Sequence, residues 1–102
     1  MHKPVERISR QMTTKYGIVH NENGIHCRPA SLIAKRAREY PGVISIVNGS
    51  GLEANPRSVL SILKLGLIEG DEFSVSVNGP DEEKMCDEML GLLEQPYSIS
   101  LD

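Results

Sequence analysis

Gly24-Ile25-His26-Cys27-Arg28-Pro29-Ala30 is the junction on which the chain turns from one kind of structure to another. Ahead of it, Thr13 to His20 is rich in Thr, Tyr, Ile and Val and reads as a strand. Asn21-Glu22-Asn23-Gly24 is a turn signal between the two. Behind it, Ala30, Ile33, Ala34 and Ala37 recur at i, i+3, i+4 and i+7, which predicts a helix over about Cys27 to Glu39. Pro29 suits a first helical turn, and Pro41-Gly42 stops the helix. Lys35, Arg36, Arg38 and Glu39 mostly face water, and the small Ala stripe suggests a close approach to a sheet.

This places an imidazole at the start of a helix, with a guanidinium two residues on. The first N–H groups of a helix lack intrahelical partners, and the helix dipole makes that end positive. An anion fits there, and phosphate is the obvious candidate. Arg28 offers a planar fork of donors matched to phosphate oxygens. A ring nitrogen of His26 can be neutral near pH 7 and so act as a nucleophile. An anionic product on that nitrogen would be held by Arg28 and by the helix amides, that of Cys27 first. The competing reading of His26 is a plain cap or turn residue.

Outward from the junction the pattern continues. Val43 to Val47 reads as a strand with Ile44 and Ile46 on one face, Asn48-Gly49-Ser50-Gly51 as a hairpin turn, and Leu52 to Ala54 as a short strand. Asn55-Pro56 breaks the chain, and Arg57-Ser58 opens a short helix running to about Leu65. Val59, Leu60, Ile62, Leu63 and Leu65 cover more than one face of it. Ile62 and Leu65 are expected inside, and Val59, Leu60 and Leu63 partly outside as a docking patch. Asp71 to Val77 alternates Phe73, Val75 and Val77 with Ser74 and Ser76, a half-buried strand. Asn78-Gly79-Pro80 leads into a third helix. Asp81, Glu82 and Glu83 fill its first turn, and Cys86, Met89, Leu90 and Leu93 form its stripe. Gln95-Pro96 ends it. Residues 1–12 are polar, mixed in charge and expected to be loosely held, as are those from Pro96 to Asp102.

Composition narrows the function. A chain of 102 residues with 39% hydrophobic and 25% charged residues is one soluble domain, spanning residues 13–95. Net charge is −3 with no basic run, which argues against nucleic acid. One Phe, three Tyr and no Trp leave no stacking platform for bases or sugars. Cys27 and Cys86 make no metal-ligand or CxxC spacing and read as reduced thiols of a cytoplasmic protein. No cofactor or metal is expected. No stretch is long and apolar enough to span a membrane, and no secretory leader is evident.

The element order is strand, helix, strand, strand, helix, strand, helix. Alternation in the strands means one polar sheet face. An α+β fold follows, with an antiparallel sheet covered by helices on one side. A ferredoxin-like fold with an extra short helix is the alternative.

The stretch Gly24 to Ala30 resembles the active-site sequence of the HPr family, the histidine-containing phosphocarriers of the bacterial phosphoenolpyruvate-dependent phosphotransferase system. The resemblance runs from about Thr13 to Glu94. It includes Arg57-Ser58-Val59 through Leu65-Gly66-Leu67, which is similar to the family's regulatory segment. It implies an open-faced β-sandwich of order βαββαβα, a four-stranded antiparallel sheet with three helices on one face. It implies that His26 is phosphorylated on Nδ1 by Enzyme I, that Arg28 binds the phosphoryl group, and that the group passes to a histidine of an enzyme IIA domain. Ser58 matches a serine modified in many members by an HPr kinase/phosphorylase. A plain N-cap explains Ser58 equally well.

The sequence also departs from the family. Cys27 stands where most relatives carry Ala or Thr. Both ends are longer than usual, and the hairpin at Asn48 to Gly51 is one residue longer. Asn55-Pro56-Arg57-Ser58 leans toward the nitrogen-related branch. Three readings follow: a carrier for sugar uptake, a regulatory relative of the nitrogen-branch or Crh-like kind that signals by phosphorylation state, and a non-catalytic docking module. A monomer is expected.

Overall fold

The computed structural model describes residues 12–96. The expected N-terminal extension and C-terminal tail lie outside these residues, Met12 and Pro96 apart. The elements are β1 (Thr13–Ile18), α1 (Cys27–Glu39), β2 (Val43–Asn48), β3 (Glu53–Ala54), α2 (Val59–Leu63), β4 (Glu72–Asn78) and α3 (Glu82–Glu94). The four strands form one sheet in the order β1-β4-β2-β3, and every pair is antiparallel. This is the open-faced βαββαβα arrangement. A ferredoxin-like fold would place β1 and β3 at the centre of the sheet. Here β4 and β2 are central, and β1 and β3 are the edges.

One sheet face carries the core. Phe73, Val75 and Val77 of β4 and Ile44 and Ile46 of β2 point into it. The stripe Ala30, Ile33, Ala34 and Ala37 of α1 meets them, buried throughout. From α3 come Cys86, Met89 and Leu93, with Met85 buried beside the expected stripe and Leu90 only half-buried. The Cys86 thiol points at the Val75 carbonyl 3.4 Å away, and burial pushes its pKa up. α2 buries Ile62 and leaves Leu60 exposed, with Val59 and Leu63 between the two. Leu65 is buried just beyond it.

The boundaries moved for local reasons. β1 ends at Ile18 rather than His20 because its partner β4 begins only at Glu72. Val19 still exchanges hydrogen bonds with Asp71 and Gly70. α2 spans Val59–Leu63 rather than Arg57 to Leu65, since Ser58 is its N-cap and Gly66 turns left-handed (φ +63°) after it. Asp81 is the N-cap of α3, at φ +50°, rather than part of its first turn.

Candidate functional site

His26 is the N-cap of α1 in extended backbone, and its side chain makes no cap hydrogen bond. The reason lies in the next residues. An N-cap side chain usually accepts from the N–H of the second or third helical residue. Pro29 holds the third position and has no N–H, and its ring is buried. The Ala30 N–H already donates to the His26 carbonyl at 3.1 Å. Among the described residues no hydrogen bond reaches the N–H of Cys27 or of Arg28. Two amides without a partner among the described residues therefore open the helix beside the imidazole.

The ring is half-buried. Its Nε2 is buried, with no hydrogen-bond partner among the described residues, and the burial closes that nitrogen to an incoming group. Cys27 and Arg28 are exposed, and among the described residues no side chain pairs with the Arg28 guanidinium. The structure thus brings His26, Cys27 and Arg28 together at one helix start. No cluster of His, Cys, Asp or Glu suited to a metal occurs among the described residues.

The loop ahead of His26 is fixed from behind. The Ile25 N–H donates to the Leu67 carbonyl at 3.0 Å, and the Gly24 N–H donates to the Asn21 carbonyl at 2.9 Å. Gly24 sits at φ +70°, and a Cβ there would lie 2.5 Å from the Leu67 oxygen. Only glycine fits both conditions. The contact brings Ile68, 62% exposed, beside the site loop. The sequence reading missed Ile68. Its signal was an isoleucine stranded between Gly66 and Gly70, outside any periodic stripe. Leu32, one turn past Arg28 on α1, is also exposed.

The second segment has its own framework. The Ser58 hydroxyl accepts from the Ser61 N–H at 3.1 Å, so Ser58 caps α2. Arg57 lies outside the helix and turns back to α1. It donates through Nε to the Ala37 carbonyl (3.3 Å) and through Nη2 to the Tyr40 (2.8 Å) and Gly42 (3.3 Å) carbonyls. Arg38 returns a hydrogen bond to the Arg57 carbonyl at 3.1 Å. A cation on the last carbonyls of a helix satisfies orphan acceptors and suits the dipole. Ser58 is thereby tied to the far end of the same helix that starts at His26.

Charge is unevenly spread. α1 and α2 with their flanks carry Arg28, Lys35, Arg36, Arg38, Arg57 and Lys64 against the single carboxylate of Glu39. α3 and its cap carry six carboxylates against Lys84. Lys15 and Arg36 each bridge to that acidic helix, at Asp87 (2.6 Å) and Glu88 (2.9 Å). The helices α1 and α2 are basic although the chain is acidic overall.

The chain is similar to known proteins. A family model described as the PTS HPr component phosphorylation site matches residues 13–95. The chain is 33% identical over 82 residues to phosphocarrier protein HPr of Mycoplasma pneumoniae, covering 80% of this chain and 93% of that one. It is 34% identical over 83 residues to phosphocarrier protein HPr of Borreliella burgdorferi, covering 81% and 95%. The crystal structure of a phosphocarrier protein HPr from Bacillus anthracis superposes with a TM-score of 0.75 at 25% identity, covering 82% of this chain and 99% of that one.

Proposed function

We propose, from the premise that this chain belongs to the HPr family of phosphotransferase-system phosphocarriers, that His26 accepts a phosphoryl group from Enzyme I and delivers it to a histidine of an enzyme IIA domain. The observation that carries this reading is the set of donors around one imidazole that have no partner among the described residues: the Cys27 and Arg28 amides and the Arg28 guanidinium. Phosphoryl transfer needs mainly positioning and charge stabilisation. In the loading step the nitrogen–phosphorus bond to His26 forms as the bond between the phosphoryl group and Enzyme I breaks. The buried Nε2 of His26 supports Nδ1 as the accepting nitrogen. The phosphoryl oxygens then meet the Cys27 N–H, the start of α1 and the Arg28 fork. The site is shallow, so the group can leave as readily as it arrives.

Docking falls to the basic side. Leu60 is exposed there, Val59 and Leu63 lie half-buried beside it, and Ile68 and Leu32 add apolar surface. An acidic partner surface complements the surrounding cations. Ser58 is proposed as a regulatory phosphorylation site on its resemblance to the family serine. A phosphate on it would add a dianion to this face and weaken such docking. The carrier works in the cytoplasm as a monomer, with an HPr kinase/phosphorylase as a further partner.

The test is transfer onward. Chain loaded by Enzyme I and phosphoenolpyruvate is mixed with a sugar-type and with a nitrogen-type IIA domain. Rapid transfer to the sugar-type domain supports a role in sugar uptake. Transfer to the nitrogen-type domain alone replaces that role with regulation, and transfer to neither defeats the relay.

A further inference from the structure

Two arginines flank Ser58, and they are used differently. Arg57, its neighbour in the chain, is turned away: its Nε and Nη2 donate to the Ala37, Tyr40 and Gly42 carbonyls at the end of α1. Arg38 reaches over from the last turn of α1 and donates its Nε–H to the Arg57 carbonyl at 3.1 Å. That carbonyl carbon is bonded to the Ser58 nitrogen, so the Arg38 guanidinium ends one peptide unit from the serine. The serine side chain is itself fixed, because its Oγ accepts from the Ser61 N–H at 3.1 Å.

The Arg38 fork has donors to spare. A guanidinium carries five N–H donors, and the Arg57 carbonyl engages the one on Nε. Among the described residues nothing pairs with its Nη1 or Nη2. The adjacent carboxylate of Glu39 lies 3.7 Å from Arg36 instead. Lys35, one turn earlier on α1, and Lys64, at the far end of α2, are the other cations of the two helices nearest to this junction. We propose that Arg38 is the internal clamp for a phosphoryl group on Ser58, its Nη groups binding the phosphoryl oxygens while Arg57 keeps the segment anchored to α1.

The clamp rests on the reading of Ser58 as a phosphorylation site, and it names the group that receives the new charge. In the modification the bond from the Ser58 Oγ to phosphorus forms as the bond from that phosphorus to a nucleoside diphosphate breaks. The hydroxyl proton leaves to the modifying enzyme. The planar fork then matches two oxygens of the dianion at once. The phosphate therefore does more than add negative charge. It withdraws Arg38 from the cations that an acidic partner would meet, and it ties the start of α2 to the last turn of α1.

The experiment uses the full chain with phosphoserine introduced at position 58 during synthesis, otherwise unchanged, with Arg38→Gln and with Lys35→Gln. Phosphorus NMR follows the second ionisation of the phosphoserine, ordinarily near about pH 6. A guanidinium in contact favours the dianion, so the midpoint is expected about half a unit or more lower in the unchanged and Lys35→Gln chains than in Arg38→Gln. Amide shifts of Val75 and Val77 report that each form is folded. One midpoint shared by all three overturns the clamp. So does an equal rise in both variants, which would assign the effect to the general field of the basic helices. The phosphoserine is installed without a kinase, so this result is separate from the regulatory reading. That reading alone would fall if an HPr kinase/phosphorylase left Ser58 unmodified.

Discussion

The Ile25 N–H is hydrogen-bonded to the Leu67 carbonyl at 3.0 Å, and this bond joins the loop that presents His26 to the segment that follows α2. Gly24 makes the approach possible. In Gly24→Ala a methyl group would meet the Leu67 oxygen at 2.5 Å in a left-handed backbone. The variant is expected to lose about 1–3 kcal/mol of stability. It should also slow phosphoryl uptake, because His26 moves with the loop. Urea unfolding and amide shifts at His26 and Leu67 check both effects.

Arg28 is exposed and unpaired within the described residues, so the fold does not need it. Arg28→Ala should unfold within about 0.5 kcal/mol of the wild type. Loss of a charge-assisted hydrogen bond to the phosphoryl group, about 1.5–3 kcal/mol, should lower the rate of uptake about 10- to 100-fold. Arg28→Lys should recover only part of it, since an ammonium cannot present the same fork. Single-turnover transfer from Enzyme I measures this.

Arg57 should behave in the opposite way. Its guanidinium bridges three carbonyls at the end of α1. Arg57→Ala should cost about 1–2 kcal/mol in urea unfolding and leave phosphoryl uptake on His26 unchanged. A normal unfolding midpoint with impaired uptake would make Arg57 a docking residue instead.

Among the described residues four groups hold their protons more tightly in the folded protein: Arg36, through its hydrogen bond to Glu88, and three that titrate at lower pH. Burial raises the pKa of the Cys86 thiol and of the Tyr40 hydroxyl, which donates to the Pro80 carbonyl at 2.7 Å. A hydrogen bond to Asp87 raises that of Lys15. Each folded pKa lies above its unfolded value, so each contribution is complete below the unfolded pKa and is lost as pH rises through the folded one. Stability should fall from about pH 9 upward. Cys86→Ala should lower stability at neutral pH, and it should make the onset of the alkaline fall later. An unchanged onset would remove Cys86 from the explanation.

α1 was legible to the residue because its signals are local. Pro29 marks its first turn, Pro41-Gly42 follow its end, and an unbroken Ala/Ile stripe lies between. The partition of this segment into buried Ile62 and, just past α2, Leu65, with Leu60 exposed, also followed from a stretch too apolar for one helix face. The fold class came from alternation in Phe73 to Val77, and the family came from two motifs. What the sequence hid were contacts between distant segments. Arg57 on the α1 carbonyls, Ile68 beside Gly24 and the Asn48 amide on the Leu65 carbonyl (2.9 Å) each join stretches with no shared periodicity. The left-handed Asp81 was hidden too, because an acidic run at a helix start reads alike whether its first residue is the cap or the first turn.

The central claim is that His26 carries the phosphoryl group on Nδ1. The direct measurement is incubation with Enzyme I and phosphoenolpyruvate, wild type beside His26→Ala, read by intact mass and by nitrogen-resolved NMR of the imidazole. The expected result is one acid-labile, base-stable phosphoryl group on the wild type alone, bonded to Nδ1. An unmodified wild type beside an Enzyme I that phosphorylates itself, or a phosphoryl group retained by His26→Ala, would contradict it.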